Sequence, residues 1–165
     1  DPYKAVLLNS FSAQNDIRPG RRTEQLGLIQ WTHYFSKPKF SLETSYRIGH
    51  NDWGSYSHTA RIAVHKKFFD NRLIISPSFR YYRQTAARFY ATEFFGNPTL
   101  CSSDYRLSAE ETMNLGVQFR WYFIPERLAV DAGYERYATR GLDRVTSKSA
   151  YPSANSASIG VHYQF

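Results

Sequence analysis

The sequence has 165 residues, 21 Lys+Arg against 14 Asp+Glu for a formal net charge of +7, a single cysteine, and 17% aromatic residues, with 13 Tyr and 12 Phe. That length holds one domain or one barrel, the lone Cys101 excludes an internal disulfide and a cysteine metal cluster, and no apolar run approaches the ~18 residues of a spanning helix. A β-barrel stays open, because its strands meet lipid only at every second residue, and so much Tyr and Phe is heavy for an ordinary soluble domain.

In chain order, residues 3–10 are a weak candidate strand. Residues 23–35 are a better one, but both faces mix polar and apolar side chains, so it cannot be oriented. From there the alternation is strict, the mark of a strand with one apolar face. Phe40, Leu42, Tyr46 and Ile48 oppose Ser41, Glu43, Ser45 and Arg47. Tyr56, Ala60, Ile62 and Val64 oppose Thr59, Arg61, Ala63 and His65. Leu73, Ile75, Phe79 and Tyr81, with Pro77, oppose Ser76, Ser78, Arg80 and Tyr82. Met113, Leu115, Val117, Phe119, Trp121 and Phe123 oppose Asn114, Gly116, Gln118, Arg120 and Tyr122. Leu128, Val130, Ala132 and Tyr134 oppose Ala129, Asp131, Gly133 and Glu135. The chain ends with Ile159, Val161, Tyr163 and Phe165 alternating with Ser158, Gly160, His162 and Gln164.

Short connections at 36–39, 66–72 and 124–127 alternate with long ones near 11–22, 49–55, 84–111 and 139–154. Short turns on one side and long loops on the other are the layout of an outer-membrane barrel. Counted back from a periplasmic C-terminus, every short turn falls on the periplasmic side. The expected fold is therefore all-β: a transmembrane antiparallel up-and-down barrel of about eight strands in this chain, or part of a larger barrel. It occupies 1–165 as one domain in a bacterial outer membrane, and its last strand is paired on both edges. A lipocalin-like barrel or a sandwich also alternates, but its apolar face points inward and is filled by aliphatic side chains. DPYKAVLL carries no secretory leader, which implies a mature chain or a piece of a longer one.

The polar face supplies candidate lumen-lining charges: Arg47, Arg61, Arg80, Arg120, Glu43, Asp131 and Glu135. The apolar face ends in a candidate aromatic girdle of Tyr46, Tyr56, Tyr81, Phe123, Tyr134 and Phe165. Tyr163 and Phe165 match the C-terminal signal read by barrel-assembly machinery. The positive excess is concentrated in the short turns (Lys37, Lys39, Lys66, Lys67, Arg72 and Arg127 against Asp70 and Glu126), where cations can snorkel to anionic headgroups. That location argues against nucleic acid. His33, His50, His58, His65 and His162 have no ligand spacing, and no metal or cofactor is expected. The expected partners are outer-membrane lipids and lipopolysaccharide, the barrel-assembly machinery, and proteins at the long loops.

DPYK at 1–4, HYF at 33–35, NDWGSYSHT at 51–59, FRYYRQTAARFY at 79–90, SSDYRLS at 102–108 and GYERY at 133–137 go further. In this order they resemble the C-terminal part of a family of predicted bacterial outer-membrane proteins known only as a domain of unknown function. Members are usually about double this length, which implies strands before Asp1. No catalytic residue is established for the family, so none carries over. The functional expectation is a pore or a non-enzymatic scaffold. The alternatives are a lipid-modifying enzyme, with Ser57 and His58 near a rim, and a sleeve for a redox partner in electron export.

Overall fold

The computed structural model describes residues 5–8, 12–125 and 127–164. Phe165, expected in both the girdle and the assembly signal, lies outside the described residues, as do DPYK and Glu126. Among the described residues the strands are β1 (Ala5–Leu8), β2 (Ser12–Asn15), β3 (Glu24–Phe35), β4 (Phe40–Asn51), β5 (Tyr56–Phe68), β6 (Leu73–Gln84), β7 (Glu93–Phe94), β8 (Glu110–Ile124), β9 (Leu128–Gly141) and β10 (Ser153–Tyr163). Seven of them form one antiparallel sheet in the order β10-β9-β8-β6-β5-β4-β3, each strand beside its neighbour in the meander. Among the described residues no helix is long and apolar enough to cross a membrane.

Three expectations change. Residues 5–8 do not add an eighth strand to this sheet: β1 pairs with β2 and with β7 in a separate three-stranded sheet. Its four residues are far short of the ~9–11 that a crossing strand needs. Nor does β10 pair on both edges. Among the described residues it pairs with β9 alone, and β3 pairs with β4 alone. The turns are also tighter than expected, because β5 runs on to Phe68 and takes Lys66 and Lys67 into the strand. The reversal itself is residues 69–72, with Phe69, Asp70 and Asn71 all in the left-handed region at φ 52°, 50° and 70°, where short polar Asp and Asn are the better tolerated.

The ladder supplies what periodicity could not, the orientation of β3. Leu28, Gln30, Thr32 and Tyr34 sit opposite Arg47, Ser45, Glu43 and Ser41 and share their face, which leaves Ile29, Trp31, His33 and Phe35 on the apolar side. The β5–β6 ladder breaks between Ala63↔Ser78 and Lys66↔Ile75, where Pro77 has no N–H to donate. The register resumes unshifted beyond it. A bulge at Phe123, between Tyr122 and Ile124, ends the β8–β9 ladder at its turn.

The sheet curls with its polar face inside. One cavity of about 590 Å³ takes Tyr34 from β3 and Ser158 from β10, the two edge strands, together with Ser41, His65, Gln118 and Arg120. The apolar face is outside and uncovered. Ile29 is 74% exposed, Leu115 58% and Ile159 85%. The buried hydrophobic residues are Val6, Ala87, Phe89, Cys101 and Tyr151 at the long-loop end, and Ala63 and Ala129 on the polar face. The sheet thus has no core on its apolar side. This reverses the soluble-barrel arrangement, and each exposed Leu or Ile forgoes about 1.5–3 kcal/mol of burial in water.

Candidate functional site

The concave face collects every expected lumen charge, in positions dictated by the pleat. Arg120 and Asp131 are direct cross-strand partners, joined by Nε to Oδ1 at 2.6 Å and Nη2 to Oδ2 at 3.0 Å. Arg61 lies opposite Arg80, a like-charge pair that destabilises a sheet; its guanidinium turns instead to Glu43 on the other side. His65 joins that pair, with Nε2 3.8 Å from Glu43 and Nδ1 2.9 Å from the Ser76 hydroxyl. The amide of Asn114 donates to Glu135 at 3.5 Å. Arg47 and Arg80 hold no ion pair among the described residues, and Arg80 lines a smaller cavity of about 200 Å³ with Arg61 and Glu135. The register adds three charges that sequence reasoning left off this face: Glu24, opposite Asn51, then Lys67, opposite Ile74, and Glu110, opposite Gln84. Among the described residues the strands of this face therefore carry five cations and five acids rather than an excess of arginine.

On the outer face the tyrosines share one geometry. Tyr46 OH reaches His58 Nδ1 at 2.7 Å, Tyr81 OH donates to Glu111 at 2.7 Å, and Tyr134 OH donates to Asn155 at 2.9 Å. Each partner sits on a neighbouring strand, two residues nearer the long-loop end. Tyr56 lies at that same end, stacked 4.1 Å from His50. The other end carries a second group: Phe35 against Phe40, Phe69 against Trp121, the bulged Phe123, and Tyr163. Lys66 stands over the ring of Phe68 at 5.4 Å. Along β3, β4, β6, β8 and β10 the outer positions between the two groups carry no Asp, Glu, Lys or Arg among the described residues, while on β9 Arg136 stands one step beyond Tyr134 and on β5 Lys66 is level with Phe40.

Ser57 and His58 do not form a catalytic pair. Adjacent strand residues point to opposite faces, so Ser57 looks into the concave side while His58 is held outside by Tyr46. His162, opposite Ala129, is on the concave side as expected. Among the described residues no three His, Cys, Asp or Glu side chains are grouped to hold a metal.

The long loops pack together, and residues 85–109 are the hub. Cys101 exchanges backbone hydrogen bonds with Ile17 at 2.9 Å in each direction. Its thiol is free and fully buried, out of reach of another chain. Phe89 packs edge-on against Trp53 at 5.3 Å, and Arg88 donates to the Asp52 carbonyl at 2.7 Å. Gly54, at φ 82°, admits that arginine, since a Cβ there would lie 2.6 Å from its Nε. Tyr90 reaches Asp143 and Thr146, and Ser108 meets Tyr151 at 2.7 Å. Gln84, on the concave face, donates to the carbonyls of Arg106 and Ser108 at 2.8 and 2.9 Å, which ties the hub to the mouth of the sheet.

At the centre is Asp104, its side chain 1% exposed. It accepts from the Arg106 backbone N–H at 3.0 Å, from Arg106 Nη2 at 2.7 Å and from Arg18 Nη2 at 3.0 Å. Burial by itself would raise its pKa, but the hydrogen bonds from Arg106 and Arg18 outweigh it and hold the carboxyl below the usual range. Burial, with the charge of Asp143 nearby, pushes the Tyr90 phenol up to about 12, against an opposing hydrogen bond from Thr146. Sequence reading passed over Asp104 because nothing in SSDYRLS marks an aspartate as buried.

Comparison with known families finds one match, described as "Protein of unknown function (DUF3570)", over residues 1–165. The chain belongs to this family. No curated protein and no solved structure matches it. The resemblance carried by NDWGSYSHT, FRYYRQTAARFY and SSDYRLS now has a physical basis in this DUF3570 chain. Trp53, Arg88, Phe89, Asp104 and Arg106 are the residues that hold the loop cluster together.

Replacing Asp104 with Ala removes these bonds and should cost the cluster about 1–3 kcal/mol. Limited proteolysis should then cut within 85–109 first, with the sheet intact by circular dichroism. The pH dependence follows from the sign of the shift. A depressed carboxyl stabilises fully above its unfolded value, ordinarily 3.8, and the contribution is lost as pH falls through the lower folded value. The protection that Asp104 gives the loops should accordingly be lost below about pH 4, whereas the Asp104→Ala protein should show little of that acid rise in cleavage.

Proposed function

We propose that this chain forms the wall of a bacterial outer-membrane β-barrel, its concave polar face lining a water-filled pore and its long loops facing outward. The observation that carries this reading is the uncovered apolar face, flanked by two aromatic groups and with its charges toward the ends of the strands, on a sheet whose polar face is the enclosed one. Tyrosines at an interface turn hydroxyls toward water and rings toward hydrocarbon, and Tyr46, Tyr81 and Tyr134 all turn theirs toward the long-loop end. Lys37, Lys39, Lys66 and Arg72 cluster at the opposite end, where they can reach anionic headgroups of the inner leaflet.

Hydrocarbon tolerates no open sheet edge. β3 and β10 both run from the long-loop end to the short-turn end, so pairing them directly would join parallel strands in an antiparallel sheet. An odd number of further strands, whatever polypeptide supplies them, closes the sheet antiparallel with an even total, the rule for bacterial single-chain barrels. One further strand gives an eight-stranded barrel whose interior side chains nearly fill, and three or more make the seven described strands one arc of a wider barrel with room for a channel.

Assembly tests the reading. Val117→Arg places a cation mid-way along the outer face and should cost about 2–4 kcal/mol, enough to deplete the assembled, heat-modifiable form. Gln118→Arg, one residue along on the concave face, should assemble normally. Equal outcomes would sink the membrane assignment. In planar bilayers the protein should conduct with little ion preference, because the lumen charges balance. Arg120→Ala should shift the reversal potential toward cations while leaving the melting temperature nearly unchanged, since Arg120 is 44% exposed and water screens the loss.

The packed loop cluster supports a second reading, a closed scaffold for surface partners, because Gln84 anchors it at the mouth. Absence of conductance in a correctly assembled barrel would decide for the scaffold.

A further inference from the structure

The charges on the outer face are confined to its two ends, and unequally. Lys66 stands alone at the short-turn end. At the long-loop end Arg83, Glu111 and Arg140 lie side by side in register on β6, β8 and β9. Arg136 lies four residues along β9 from Arg140 on the same face, opposite Asn155. On β6 the row begins one step beyond Tyr81 and on β9 Arg136 stands one step beyond Tyr134, level with Leu115; below those tyrosines the outer positions Phe79, Pro77, Ala132 and Val130 are apolar.

Strands sit ~4.8 Å apart, so Arg83 and Arg140 flank Glu111 with Cα atoms about 10 Å from each other. Glu111 is already occupied: one oxygen accepts from Arg140 Nε, and the other from Tyr81 OH at 2.7 Å. It holds Arg140 through Nε, and that side chain remains 71% exposed. Arg83 and Arg136 are exposed and hold no ion pair among the described residues. Three guanidinium groups against one satisfied carboxylate make a cationic rim, and guanidinium forks match phosphate oxygens in pairs.

We propose that this rim binds the phosphate groups of an acidic glycolipid, lipopolysaccharide, in the leaflet on the long-loop side, with its acyl chains on the apolar surface below. The proposal rests on the barrel reading above, which puts the tyrosine row at headgroup depth. The vertical order decides the occupant. Cations, then tyrosine hydroxyls, then an uncharged apolar band match a molecule with phosphates above and hydrocarbon below. A soluble anion would use only the first layer, and a zwitterionic lipid would bring no net charge to the arginines.

The test titrates the detergent-purified protein with bis-phosphorylated lipid A, phosphatidylethanolamine and inorganic phosphate, and counts bound molecules by native mass spectrometry. Wild type should bind lipid A in preference to both others. The triple variant Arg83→Gln/Arg136→Gln/Arg140→Gln should lose about tenfold or more of that affinity while keeping its heat-modifiable mobility, and Lys37→Gln/Lys66→Gln should bind like wild type. Undiminished lipid A binding by the triple variant would overturn the site, as would an equal loss in the lysine variant. Inorganic phosphate displacing lipid A at similar concentrations would overturn the glycolipid assignment. Failure of the site alone leaves the Val117→Arg and Gln118→Arg contrast intact. Failure of the barrel reading erases that contrast as well.

Discussion

The constraint on which the rest depends is the backbone ladder. Seven strands are paired edge to edge over 11 to 15 residues each, and pairing forces side chains in one row of the sheet onto one face. Once Leu115, Phe79 and Ile62 are in register, Asn114, Arg80 and Arg61 have no choice but the other side. Twist and curl then decide which face is enclosed. Here it is the polar one, so charge is gathered inside and apolar area is left outside, opposite to what water alone would select.

That inversion reassigns the usual sources of stability. Among the described residues, burial of apolar side chains larger than alanine is found at the long-loop end, around Val6, Phe89, Cys101 and Tyr151. On the concave face the working contacts are polar, with Arg120 bound to Asp131 and Arg61 bound to Glu43 rather than facing Arg80. These pairs are half-open to solvent, where an ion pair is worth little in free energy. Their effect is to set the electrostatic character of the enclosed space. Balance, with Arg80 and Arg47 left over against unpaired acids elsewhere on the face, is a different lumen from one lined by arginine.

The long loops contribute a second structural unit with its own logic. Residues 85–109 touch each of the other long connections: Ile17 through Cys101, Asp52 and Trp53 through Arg88 and Phe89, and Tyr151 through Ser108. A buried carboxylate holding two arginines is costly to break and geometrically demanding, so it specifies one arrangement of the cluster. Because Gln84 links this unit to the concave face, the loops and the enclosed space below them form one continuous surface.

Strand identity and face were legible in the sequence wherever one face was consistently apolar, because a period of two can be counted from Phe40 to Ile48 or from Met113 to Trp121 without knowing the neighbours. The separation of short turns from long loops was legible for the same local reason. What the sequence could not supply were facts about pairing. β3 mixes Leu28 with Gln30 on one side and Trp31 with His33 on the other, and only its ladder with β4 orients it. Residues 5–8 read as a strand, but nothing in AVLL says that its partners are Ser12–Asn15 and Glu93–Phe94. The charges Glu24, Lys67 and Glu110 joined the concave face only when strand ends were located. Asp104 became a centre only when residues 86 positions apart in the chain, Arg18 and Asp104, were brought within 3.0 Å. Alternation is a property of one strand and is written locally. Register, curl and loop packing are properties of pairs of distant segments, and those the tertiary structure alone decided.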